Sequence, residues 1–127
     1  MQFFRMDGNR AANLPFSDAV RVGDVLYLSG QMGILPGTMK LAPGGIEGET
    51  KQMMENIGRV LAHCGRSLDD VFKCTVMLKD MSEWAAFNKI YLSYFKPERL
   101  PTRSAFGTNG LALGGAVEME CWAGIPK

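Results

Sequence analysis

Apolar residues along this chain switch between two periods, and the switches mark out its elements. Gln2-Phe3-Phe4-Arg5-Met6 reads as a short first strand, ended by Asp7-Gly8-Asn9. Ala19 to Val22 and Val25 to Ser29 are two apolar runs split by Gly23-Asp24, the signature of a tight hairpin. The second run continues through Leu28-Ser29-Gly30-Gln31-Met32. Residues 32–45 carry prolines and glycines and read as loop. Ile46, Thr50, Met53, Ile57, Val60, Leu61 and Cys64 then recur at helical spacing, with Gly65 in the position that ends a helix. Glu47 with Lys51, and Glu55 with Arg59, add favourable pairs one turn apart.

From Val71 to Lys79 the period returns to two. Phe72, Cys74, Val76 and Leu78 form the predicted apolar face, with Lys73, Thr75 and Met77 opposite. Asp80-Met81-Ser82-Glu83 has the spacing of a capping box and predicts a second helix. Trp84, Phe87, Tyr91, Tyr94 and Phe95 stripe one side of it as core, and Pro97 closes it. Arg103 to Phe106 predicts a strand. Val117 to Trp122 alternates strictly, with Val117, Met119 and Cys121 on one face and Glu118, Glu120 and Trp122 on the other. The glycine-rich segment from 107 to 115 predicts that these last two strands fold back as a hairpin.

The resulting order predicts an α+β fold, a single sheet with two helices on one face. The other face carries Tyr27, Met77, Phe106 and Trp122, too much apolar surface for open water, so a homo-oligomer is expected.

The chain has 127 residues, 46% hydrophobic and 21% charged, with a formal net charge of +1. That size fits one domain, residues 1–127, with a core of its own. Near-neutral charge and scattered Lys and Arg argue against nucleic acid as a partner. No apolar run reaches bilayer length, and the N-terminal residues lack a secretory pattern, so a cytoplasmic protein is expected. Cys64, Cys74 and Cys121 lie far apart in apolar surroundings and read as reduced packing residues. His63 stands alone near a helix end, and no spacing suggests a metal.

Phosphate-binding glycine motifs, a nucleophile elbow and a Ser-His-Asp arrangement are all missing. An enzyme built from this chain works with Arg, Glu, backbone N–H groups and water. Arg103 and Glu118 attract attention because Trp122 shares a face with the carboxylates, which implies a partly covered surface. A covered guanidinium grips a carboxylate through two parallel hydrogen bonds. A covered Glu beside it is either the partner of that Arg or a group that orients water. Ser29-Gly30 is either a strand end with a bulge or a place where a ligand approaches the backbone. Asn88 is the one polar residue near the middle of the second helix able to reach a strand end.

These residues together resemble the RidA/YjgF family, whose members are also labelled L-PSP endoribonuclease-like. Pro101-Thr102-Arg103-Ser104 and Val117-Glu118-Met119-Glu120, with Glu118 fifteen positions after Arg103, resemble its signature. Leu28-Ser29-Gly30-Gln31, Glu49-Thr50 through Ile57, Lys73 to Asp80, and Phe87-Asn88 with Tyr91 and Phe95 resemble further family segments in the same order. The resemblance implies a chorismate-mutase-like fold and a homotrimer with a ligand cleft at each subunit interface. It also implies cofactor-independent hydrolysis of 2-aminoacrylate-type enamines and imines to 2-oxo acids and ammonia. Arg103 then holds the substrate carboxylate and Glu118 a water, with Gly30, Ser29, Asn88 and Phe16 shaping the pocket.

Three departures bear on substrate and rate: Phe16 stands where many active members have Tyr, Ala105 where some have Cys, and 107–115 is unusually glycine-rich. Competing readings are a non-catalytic binder of small carboxylate metabolites and a deaminase of an aminomuconate-like substrate. A ribonuclease is the weakest of them, since no basic aromatic-lined groove is apparent.

Overall fold

A computed structural model describes residues 1–126, leaving aside the side chains of Arg10 and Ala11. The elements are β1 (Gln2–Phe4), α1 (Asp7–Ala11), β2 (Ala19–Val22), β3 (Val25–Leu28), β4 (Gln31–Met32), α2 (Gly45–His63), β5 (Val71–Leu78), α3 (Trp84–Leu92), β6 (Thr102–Gly107) and β7 (Val117–Gly124). The strands form one mixed sheet in the order β1-β2-β3-β7-β5-β6, with β4 also pairing with β7.

The β2–β3 hairpin turns at Gly23-Asp24, pairing Val22 with Val25, as the residues predict. The run after β3 is not one strand. Tyr27 pairs with Trp122 while Gln31 pairs with Met119, so one extra residue sits on the β3–β4 side, and the chain steps sideways at Ser29-Gly30.

The predicted hairpin of the last two strands does not form. β6 pairs in parallel with β5, and β7 inserts antiparallel between β5 and β3. The reason lies in α3. Phe87, Tyr91 and Phe95 are buried against the sheet, so the segment from β5 through α3 must return as a parallel crossover strand on the outer edge. The glycine-rich segment then carries the chain across to the central position rather than around a tight turn.

Alternation places Cys74, Val76 and Leu78 of β5, and Val117, Met119 and Cys121 of β7, under the helices, all essentially inaccessible. Met53, Met54, Ile57 and Leu61 of α2 and Phe87 of α3 close this core. Phe72 departs from its predicted face. The pairing skips it between Val71 and Lys73, so Val71 takes the core position and Phe72 turns outward, 6.3 Å from the Trp122 ring. Trp84 is also exposed rather than core, because residues 81–83 form a short tight turn before α3 starts. Asp80 still caps that turn, accepting the Ser82 N–H at 2.9 Å. Cys74 and Cys121, remote in sequence, are register partners with sulfurs 3.6 Å apart.

Opposite the helices, Tyr27 and Trp122 meet edge to face at 4.9 Å and Lys73 lies 4.0 Å above the Trp122 ring. Phe106 and Phe72 on that side are exposed. This is the apolar outer face expected from the alternation.

Asn56 fastens the loop after β4 to α2. Its amide donates to the Met32 carbonyl at 3.0 Å and the Ile34 carbonyl at 2.8 Å, while its oxygen accepts from Gln52 at 2.9 Å. Asn56→Leu removes both donors and leaves two carbonyls unpaired, an expected loss of about 1–3 kcal/mol. Urea unfolding measures the loss, and hydrogen exchange should quicken in residues 33–42 while α2 itself stays protected.

Candidate active site

Arg103 is the second residue of β6 and pairs with Cys74, so its side chain leaves the sheet on the helix side. It runs under α3. The guanidinium carbon lies 4.8 Å from the Tyr91 ring centre and 5.7 Å from those of Trp84 and Phe87. The three rings spread a negative π surface towards the cation, which holds it in place without neutralising it. Among the described residues, Arg103 makes no hydrogen bond and no ion pair.

Arg103, Asn88, Tyr91, Leu92, Leu100 and Pro101 line a cavity of about 240 Å³. Two more groups there lack a hydrogen-bond partner among the described residues: the buried Asn88 Oδ1 and the buried Tyr91 hydroxyl. Burial, followed by the neighbouring Cys74, pushes the Tyr91 phenol well above its usual pKa, so it remains protonated. A cation, an amide oxygen and a phenol thus surround one small cavity with their bonding capacity unused. Buried polar groups are ordinarily paired.

Glu118 lies elsewhere. Its register partner is Met77, on the face away from the helices. Two strand spacings and a three-residue offset put the Arg103 and Glu118 Cα atoms roughly 14 Å apart, with side chains on opposite faces. One chain therefore does not bring the two together.

The carboxylate of Glu118 packs on Gly30, where any Cβ would collide with Oε2. Gly30 is the residue at the sideways step between β3 and β4, and its missing side chain is what admits the carboxylate. Burial first, and then the charge of Glu120, raise the Glu118 pKa above its ordinary value. Glu118, Gly30 and Phe16 line a second cavity of about 650 Å³, together with Met32, Leu35 and Leu113. Upstream, the buried Glu49 of α2 accepts the Ala116 N–H at 2.8 Å, setting where β7 begins and hence where Glu118 emerges.

Of the six residues expected at a site, Arg103 and Asn88 share one cavity, and Glu118, Gly30 and Phe16 share the other. Ser29 lines neither. Its hydroxyl donates to the Ser17 carbonyl at 2.6 Å and its N–H to the Asp18 carbonyl at 3.0 Å, tying β3 to the preceding loop. The sequence pattern places both Tyr91 and Trp84 in the core; Tyr91 is buried there and Trp84 is exposed. Their contact with Arg103 is signalled only by a hydroxyl in an apolar stripe and an indole at the first turn of α3. No group of three His, Cys, Asp or Glu among the described residues is arranged to hold a metal. No helix there is long and apolar enough to cross a membrane.

The family model described as Endoribonuclease L-PSP matches residues 8–125. The chain belongs to this RidA/YjgF family. Among its RidA relatives, a mouse protein named 2-iminobutanoate/2-iminopropanoate deaminase is 41% identical over 113 residues, 89% of this chain and 83% of the relative. The crystal structure of RidA from the Antarctic bacterium Psychrobacter sp. matches with a TM-score of 0.89 and 37% identity, covering 98% of this chain and 100% of the other. Escherichia coli TdcF, solved with bound serine, matches with a TM-score of 0.81 and 27% identity over 89% of this chain and 90% of its own.

The sign of the Glu118 shift sets a measurable order. Its carboxyl should titrate above the ordinary value of about 4.3 in carbon-detected NMR. Glu120→Gln removes the smaller cause, so the midpoint should fall yet stay above that value. A Glu118 midpoint at or below the ordinary value would contradict the burial described here.

Proposed function

We propose that the protein hydrolyses reactive 2-imino acids, and the 2-enamino acids that tautomerise to them, to 2-oxo acids and ammonia. The reading rests on one observation above all: Arg103 is held in a recess, on aromatic rings, with no anion of its own among the described residues. A substrate carboxylate is the missing partner, and a guanidinium receives it through two parallel N–H···O bonds. Asn88 Oδ1 accepts the imine N–H next to it.

Because Arg103 and Glu118 leave the sheet on opposite faces, the reaction site is completed between chains, Arg103 of one copy facing Glu118 of the next. The apolar outer face around Trp122, Met77 and Phe106 supports such association, and a homotrimer with three equivalent clefts is the arrangement proposed. Each chain contributes one 127-residue unit carrying both halves.

In the cleft, Glu118 accepts a proton from a water as its oxygen adds to the carbon of the protonated imine, C=NH₂⁺, which gives a carbinolamine with OH and NH₂ on one carbon. Glu118 returns that proton to nitrogen, so the leaving group is NH₃, and takes up the hydroxyl proton as the C–N bond breaks and the carbonyl forms. The 2-oxo acid departs, and the proton the iminium brought in passes from Glu118 to the ammonia, which leaves as ammonium. No cofactor takes part. Orienting water against a clamped substrate supplies several kcal/mol, enough for an imine already labile in water. Ala105 offers no thiol beside Arg103 and Phe16 no hydroxyl, so the chemistry falls to Glu118 and water. The imine deaminase name of the mouse relative, and serine bound in TdcF, support a small amino-acid-derived carboxylate as ligand.

A serine/threonine dehydratase that releases the imine in a coupled assay tests this directly. Arg103→Ala should lower kcat/KM by about 10- to 100-fold, the worth of hydrogen bonds to a charged group. Mixed oligomers of Arg103→Ala and Glu118→Gln should regain part of the activity that each lacks alone, since some clefts then hold both native residues. Equal rates for wild type and Arg103→Ala would remove the proposal. Saturable 2-oxo acid binding without turnover would support a carboxylate-binding module instead.

A further inference from the structure

The mechanism leaves one pair of nucleophilic side chains unused: Cys74 of β5 and Cys121 of β7. The two are directly opposite in an antiparallel ladder, both thiols are free, and their sulfurs lie 3.6 Å apart. Directly opposed residues have Cα atoms about 4.5–5.5 Å apart, inside the range of about 4.4–6.8 Å that disulfides span. Closing the bond to about 2.05 Å needs small side-chain rotations and no movement of either strand.

The geometry points to a two-electron redox site, in which a hydroperoxide converts the Cys74–Cys121 dithiol into a cross-strand disulfide. Cys74 is the attacking sulfur. Its thiol sits below the ordinary value, chiefly through the hydrogen bond the two sulfurs share, in which either can be the donor, with help from the Arg103 guanidinium against the opposing effect of burial. Cys121 is pushed well up by the same bond and by burial, so it keeps its proton until needed. Thiolate, not thiol, is the nucleophile, and positive charge beside a cysteine favours it.

The Cys74 sulfur attacks the O–O bond, forming a sulfenic acid and releasing one water or alcohol. The Cys121 sulfur then attacks the sulfenic sulfur. The S–S bond forms and the hydroxyl leaves as a second water with the Cys121 proton. Two thiols and one hydrogen peroxide thus give one disulfide and two waters, the thiols oxidised and the peroxide reduced. Both sulfurs are buried in the sheet. Neither cysteine lines the cavity beside Arg103, the register partner of Cys74, so the small neutral oxidant reaches the pair through local opening of the sheet. Cys64 is the contrast. It is more accessible, but burial and the Asp18 charge raise its pKa, which keeps it a neutral thiol.

The whole native protein, treated with excess hydrogen peroxide, then unfolded and alkylated, tests the site by mass. The expected product has lost two hydrogens and retains one alkylatable thiol, that of Cys64. Trypsin should release residues 74–79 linked to residues 104–127, separable by dithiothreitol. Cys64→Ser should give the same link, which excludes pairing through Cys64. Cys121→Ala should stop at a sulfenic acid on Cys74 that dimedone captures. The bridge closes a long loop of the unfolded chain, so Tm should rise by several degrees in the oxidised protein. Three alkylatable thiols after treatment, oxidation confined to Cys64, or Cys74 driven to sulfinic acid without a link would each overturn the proposal. These readouts do not depend on the deaminase reading, which stands or falls on its own assay.

Discussion

The pleat of β7 is the constraint on which the rest depends. This strand lies at the centre of the sheet, bonded to β3 and β4 along one side and β5 along the other. Its odd-numbered residues Val117, Met119 and Cys121 are committed to the core. Its even-numbered residues have no choice but to leave on the other face. Glu118 is therefore on the outer face by necessity, and Arg103, two strands away and beneath α3, is on the inner one. A one-residue slip would send Glu118 into the methionine-rich core, where an ionised carboxylate without a partner is untenable.

Each half of the site is tuned by its own surroundings. On the helix side, aromatic rings fix a cation without cancelling it, leaving its charge available to an incoming anion. On the outer side, burial and the neighbouring Glu120 weaken the acidity of Glu118. A carboxylate with a raised pKa is a better proton acceptor, which suits the proton transfer proposed for Glu118.

Local pattern carried much of this into the sequence. The β2–β3 hairpin, the span of α2, the faces of β7 and the apolar outer surface follow from periodicity and turn residues, because each is decided within a few positions. What was not legible is non-local. Strand order depends on where α3 docks, so an apparent hairpin between Phe106 and Val117 gave way to a parallel crossover. A single skipped residue moved Phe72 out and Val71 in, and no periodicity marks such a bulge beforehand. The meeting of Cys74 and Cys121 is likewise a product of register. For the site, Arg103 and Glu118 stood out by type and family spacing, but their separation onto two faces emerges only from the order of the strands.

An unneutralised guanidinium in a recess has a thermodynamic side as well. A small carboxylate docked on Arg103, as proposed, would bind the folded chain and not the unfolded one. Each tenfold rise in its concentration beyond the dissociation constant then deepens the folded well by about 1.4 kcal/mol. On the proposed function, the folded state of the chain is therefore deepest where such acids are abundant and shallowest where the cleft is empty.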